Sequence, residues 1–239
     1  MSDEIAQGAE PSLADIRQQI DALDREIFER LIRRSALITS VGEIKAASGI
    51  AAPLRPRREA EQLQQLAAWY AAAQPDMPFA SIVAIWREII GAALAQQGGL
   101  RVYVTASTTH IARLYFGAAI DYHLMRTPVD LSVLASGSNI IVLDPETLLA
   151  VIDKLPPQAQ CFARLGGGDQ VVGLALGCFD EELIGSTVLS LVPLGVSSTS
   201  TTNLATNKTH ALVETSDAKY AGRCIGRYAI LPVNDREEA

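Results

Sequence analysis

Three cysteines and three histidines in 239 residues leave little material for thiol or metal chemistry. Cys161, Cys178 and Cys224 are odd in number, far apart and without a Cys-x-x-Cys pair, which speaks against both a disulfide framework and a zinc site. His110, His123 and His210 are equally scattered. No metal and no cofactor is expected. No stretch holds 18 uninterrupted apolar residues, and the opening residues MSDEIAQGAE are acidic where a secretory leader is basic and then apolar. A cytoplasmic protein with no membrane partner is therefore expected. Basic residues are also in the minority, 20 against 27 acidic ones, for a net charge of −7. Nucleic acid rewards a basic face, so it is not an expected partner either. Any anion site must be built from a few local cations.

What the chain does have is an unusually long helical periodicity. Leu13, Ile16, Ile20, Leu23, Ile27, Leu31, Ala36, Ile38, Val41 and Ile44 recur at steps that fit a helix and not an alternating strand. Ser12 suits an N-cap with Asp15 three residues on, and Ser48-Gly49 suits a stop. Such a helix is roughly 50 Å long and needs a partner along its length, so a dimer is expected. Arg34, Ile38, Val41 and Lys45 fall on one stripe, the two cations about 16 Å apart. Arg17 lies roughly 26 Å from Arg34 and about 100° round the axis. It reaches the same pocket only from an antiparallel partner helix. By themselves these cations also fit a solvated helix face.

Pro56 suits the first turn of a second helix, running through Leu63, Leu66 and Trp69 to about Ala73. A third runs from about Pro78 to Gln97, with Ile82, Ile85, Trp86, Ile89, Ile90 and Ala93 on its apolar side and Gly98-Gly99 as a stop. Gln97 follows Ile89 and Ala93 at four-residue steps, so its amide emerges from the buried side and needs a partner.

Five segments together carry a resemblance. They are Leu13-x-x-Ile16-Arg17-x-x-Ile20-Asp21-x-Leu23-Asp24, Arg34, Val41-Gly42-x-x-Lys45, Arg55-Pro56-x-Arg58-Glu59-Ala60 and Trp86-Arg87-Glu88-Ile89-Ile90. In order and spacing, residues 12–98 resemble the all-helical (AroQ-class) chorismate mutases, in the form that precedes prephenate dehydratase in bifunctional proteins. The resemblance implies three helices in an intertwined homodimer, with chorismate rearranged to prephenate without a cofactor. It also implies roles. Arg34 and the other protomer's Arg17 would hold the two carboxylates, Lys45 and Gln97 would donate to the ether oxygen, Glu59 would accept from the ring hydroxyl, and Arg58 would support the site. These types suit a pericyclic reaction, which needs a dianion held in its compact conformer and charge on the breaking C–O bond stabilised. Neutral Gln97 donates at any ordinary pH, so turnover should vary little near neutrality. Two departures stand out: Ala93 replaces a hydroxyl found in some members, and Arg55 replaces an acidic residue. Both bear on affinity.

From about Gly99 the pattern changes to mixed strands and helices, which indicates an α/β or α+β domain over 99–239 behind the helical 12–98, with 1–11 as a disordered N-terminus. Strands are read at Leu100–Thr105, within Leu131–Leu143, and at Gln158–Leu165, Gln170–Leu176, Ser186–Val192, His210–Glu214 and Cys224–Val233, with helices at His110–Ile120 and Pro145–Lys154. Gly166–Gly168 reads as a turn and Ser197–Asn207 as an exposed loop. Leu100-Arg-Val-Tyr-Val-Thr-Ala106 and Ile225-Gly-Arg-Tyr-Ala229 faintly resemble the start of a prephenate dehydratase and the end of its ACT module. The Thr-Arg-Phe and Glu-Ser-Arg-Pro signatures are missing. A catalytically silent relic is expected, with an aromatic amino-acid effector the partner this resemblance allows. Chorismate mutase thus stands beside two other readings, an isochorismate pyruvate lyase and a non-catalytic dimerisation or regulatory module.

Overall fold

The computed structural model describes residues 11–49, 54–167, 170–180, 183–194, 201–216 and 222–230. Three helices come first: α1 (Leu13–Ala47), α2 (Pro56–Ala73) and α3 (Phe79–Gln97). The 35-residue α1 starts in a capping box, where the Asp15 amide donates to Ser12 Oγ and the Ser12 amide to the Asp15 carboxylate. It ends at Ser48 and Gly49, the latter at φ 69°. Pro56 occupies the first turn of α2, and Gln74 closes it in the left-handed conformation, φ 44°. Leu63 and Leu66 of α2 pack on Phe79, Ile82 and Trp86 of α3. Ile85, expected on the apolar side of α3, is exposed, and Arg87 is buried in its stead. The reason is α2, whose buried Glu59 pairs with Arg87.

The rest forms one nine-stranded mixed sheet among the described residues, ordered β2-β1-β3-β5-β4-β9-β6-β8-β7. Its strands are β1 (Arg101–Val104), β2 (Asp121–Leu124), β3 (Asn139–Leu143), β4 (Ala159–Leu165), β5 (Gly173–Cys178), β6 (Thr187–Pro193), β7 (Thr201–Thr206), β8 (His210–Thr215) and β9 (Arg223–Tyr228). Helix α4 (Thr109–Phe116) joins β1 to β2, and α5 (Pro145–Val151), capped by Asp144, follows β3. β1 runs parallel to β2 and β3, β4 pairs parallel with β9, and the remaining neighbours are antiparallel. Apolar residues fill both faces. One cluster gathers Leu134, Leu148, Leu174 and Leu212, and the other gathers Val102, Phe116, Ile140 and Leu165 with Ile90 and Leu94 of α3. The third helix therefore belongs to two cores. At the α3–α4 crossing a Cβ on Gly91 would meet the Phe116 carbonyl oxygen, so only glycine lets the end of α4 come that close.

The described structure confirms a helical segment followed by a strand-rich α/β region, and corrects several local readings. Thr201–Thr206 is a strand, not a loop: threonines favour extended backbone, and pairing with β8 supplies the ladder. Residues 197–200 of that reading lie outside the described residues, as do Gly168 of the expected turn and 231–233 of the expected final strand. The stretch Leu131–Leu143 holds one strand, β3, as read, and its first part, Leu131–Ala135, is a 3-10 turn started by Asp130. The helix begun near His110 stops at Phe116, because Gly117 adopts φ 87°. β2 is a short polar edge strand with no apolar alternation to reveal it in the sequence. Cys161, Cys178 and Cys224 are free thiols. Among the described residues α3 is also long and apolar enough to cross a membrane by length and composition, yet it carries Arg87-Glu88 mid-helix and packs on α1, α2 and α4.

Candidate active site

Three of the expected residues lie along the contact between α1 and α3. Lys45 sits in the last turn of α1, and its Nζ donates to Gln97 Oε1 at 2.8 Å. Gln97 Nε2 in turn donates to the Ala93 carbonyl at 3.2 Å, which fixes which end of the amide faces the lysine. Three turns back along α1, Arg34 Nη1 donates to the Ile89 carbonyl at 3.3 Å. Burial lowers the pKa of both cations, and for Lys45 the nearby Arg55 charge lowers it further. Two like charges close together favour an anion between them. Arg55, the departure noted in the sequence, thus adds positive field where an acidic residue would have cancelled it.

Sequence reasoning missed the residues that hold this contact in place. Gln96 Nε2 donates to the Ser35 carbonyl at 3.0 Å and to Thr39 Oγ1 at 2.6 Å, while Ser35 Oγ donates to Gln96 Oε1 at 3.0 Å. Ser35 and Thr39 share one face of α1 at four-residue spacing, but nothing in the chain pairs them with a glutamine 57 and 61 residues away.

The other three expected site residues are elsewhere. Arg17 is exposed on α1, seventeen residues before Arg34 and roughly 26 Å from it along a continuous helix. Arg58 points outward and pairs with Glu61 at 3.7 Å, both exposed. Glu59 turns inward to a cavity that no residue of α1 lines. Its Oε2 lies 3.5 Å from Arg87 Nη1, and the two side chains are 9% and 8% exposed. Arg87 stacks 3.6 Å over the Tyr115 ring and, being buried, requires an anion; Glu59 is that anion, which is why it leaves the Lys45 side. Burial raises its pKa to about 7, with Arg87 opposing. Within one protomer, then, Glu59 and Arg58 are not part of the Arg34–Lys45–Gln97 group. Among the described residues no cluster of His, Cys, Asp and Glu is placed to hold a metal ion.

A guanidinium, an ammonium and a neutral amide spaced along one helix–helix contact can bind a carboxylate and stabilise negative charge growing on an oxygen. Comparison with known proteins says what the helical segment is similar to. Residues 16–98 match the family described as chorismate mutase type II. The match covers all three helices, with Arg17, Arg34, Lys45, Arg58, Glu59 and Gln97 inside it. A curated relative, the bifunctional chorismate mutase/prephenate dehydratase of Aquifex aeolicus (strain VF5), is 32% identical over 116 residues, 46% of this chain. The chain spans about a third of that relative's length, 32%. No solved structure matches. The matched segment thus ends just before the sheet begins.

Proposed function

We propose that the chain is a chorismate mutase that works as a homodimer. Chorismate would lie along α1, one carboxylate on Arg34 and the other on Arg17 of a second, antiparallel copy. Lys45 and Gln97 would donate to the ether oxygen as the C–O bond breaks. No proton moves and no group leaves, so conformational restraint and electrostatics are the whole of catalysis. The observation that carries this reading is the Lys45–Gln97 hydrogen bond of 2.8 Å inside the matched segment. Support for the second copy comes from α1, which has no buried residue although its apolar side chains are large.

For residues 99–239 we infer no prephenate dehydratase activity. The Thr-Arg-Phe signature is missing, and Gly166-Gly-Gly-Asp-Gln-Val171 is the nearest stretch to it. An aromatic amino acid acting on the mutase through this half is the regulatory role we propose for it. The test is loss of chorismate absorbance with purified protein, alone and with each aromatic amino acid, and products separated by chromatography. Prephenate as sole product is expected. No turnover overturns the mutase reading, and phenylpyruvate overturns the silent second half.

A further inference from the structure

A cavity of about 820 Å³ lies between α2, α3 and α4 on one side and β4 and β9 on the other. It shares no lining residue with α1 and is separate from the Lys45–Gln97 crossing. The volume suits a small organic ligand, and the walls are mainly apolar and aromatic, with Phe79, Tyr115 and Phe162 among them. Besides the exposed Asp76 at the rim, two charged side chains in these walls have unused capacity. Glu59, on the helical wall, gives Oε2 to Arg87, but its buried Oε1 has no hydrogen-bond partner. A buried acceptor left in that state is costly and favours any donor that can reach it. Arg227, on the sheet wall, is half-buried and has no ion pair among the described residues. The neighbouring Arg164 is committed to Glu214 at 3.4 Å, and Tyr228 donates to the same carboxylate at 2.6 Å.

We propose that this cavity binds a small aromatic monocarboxylate bearing a hydroxyl or amino group at the end remote from its carboxylate. The carboxylate sits on Arg227, the ring lies against the aromatic walls, and the remote donor reaches Glu59 Oε1. Because acceptor and cation enter from opposite walls, a molecule with both groups on one carbon satisfies only one of them. Occupancy would tie α2 to β9 and so couple the helical segment to the sheet, independently of chorismate turnover.

Isothermal titration calorimetry of the full chain tests this with 4-hydroxyphenylacetate against phenylacetate, which lacks the donor, and tyramine, which lacks the carboxylate. A hydrogen bond to a charged group corresponds to roughly a tenfold or larger change in affinity, so at pH 8, above the Glu59 value of about 7, 4-hydroxyphenylacetate should bind at least about tenfold tighter than either. L-phenylalanine, with both groups at one end, should also bind more weakly. Arg227→Leu should bring 4-hydroxyphenylacetate down by about the same factor, and Ala84→Trp, which fills the cavity from an exposed position of α3, should abolish binding. Equal affinity for the three probes, no heat up to millimolar concentration, or binding unchanged by both substitutions would overturn the proposal.

Discussion

Helix α1 and strand β3 use the same kinds of residue in opposite ways. Ile16, Ile20, Leu23 and Ile27 of α1 are 42–57% exposed, whereas Ile140, Ile141, Val142 and Leu143 of β3 are 0–1% exposed. The sheet completes its core within one chain because each face is covered locally, by α3 and α4 on one side and by α5 and the 3-10 turn on the other. A single helix of 35 residues has no such option. Eleven large apolar side chains of α1 stay exposed, and at about 1.5–3 kcal/mol for each fully buried one, partial cover by a second copy is worth on the order of 10 kcal/mol. One half of the chain is finished as a monomer; on the proposed reading the other is completed by association, and its function is tied to that association through Arg17.

Subunit complementation is the experiment with the largest effect. Arg17→Ala and Lys45→Ala should each lower turnover of chorismate by about 10²-fold or more, since each removes a charged group from the developing transition state, and each should remain dimeric. Mixed and re-equilibrated, the two inactive proteins should recover about a quarter of wild-type activity. Half of the dimers are then mixed, and one of the two sites in each holds Arg17 from one chain and Lys45 from the other. A mixture as inactive as its components would show that Arg17 does not act across the interface.

Burial of charge gives a second contrast. In the sheet, Glu214 is held by Arg164 and Tyr228. In the helical segment, Glu59 has Arg87 alone, and its pKa rises from 4.5 to about 7. A carboxyl with a raised folded-state pKa favours folding below its unfolded value, and that contribution is lost as pH rises through the folded value. Wild type should therefore lose about 2 kcal/mol between pH 5.5 and 8, roughly 4–8 °C in Tm, beyond whatever the rest of the chain loses. Glu59→Gln should remove that component. Identical pH slopes in thermal melts of the two proteins would mean that burial does not raise the Glu59 pKa. Turnover should stay nearly flat over the same range, because Gln97 does not titrate and the lowered Lys45 pKa starts from 10.5.

How far the sequence could be read follows the same division. All three helices were legible to within a residue or so, since each has a period, a start and a stop in its own residues: Ser12 and Gly49, Pro56 and Gln74, Gly98. That Lys45 and Gln97 lie together was legible through the resemblance, which puts both on one substrate oxygen; the hydrogen bond between them was not. The inward turn of Glu59 was not, because it depends on Arg87 and on Tyr115 of α4, two elements that no local pattern brings together. In the second half, strands were legible where both faces are buried, as in β3, β4 and β6, and were lost at the sheet edges. There β2 and β7 are polar and owe their form to a neighbour's ladder. The cavity between α2, α3 and β9 had no sequence signal at all, since its walls come from parts of the chain more than 150 residues apart.

The smallest effect concerns the fastening between α1 and α3. Gln96 makes three hydrogen bonds to Ser35 and Thr39, all exposed, so each is worth about 0.5–1.5 kcal/mol at most. Their consequence for stability is slight, but they set the angle at which Gln97 meets Lys45 one residue further on. Gln96→Ala should lower kcat about three- to tenfold while leaving the dimer and binding in the sheet-side cavity unchanged. Thr39→Ala should do the same to a lesser degree, and the double variant should be no worse than Gln96→Ala alone, because both substitutions undo one contact. Additive losses would mean that the two residues act on separate features of the helix. Wild-type kcat in Gln96→Ala would mean that the apolar contacts of α3 with the sheet suffice to place Gln97, so that the finished half of the chain holds the site of the unfinished one.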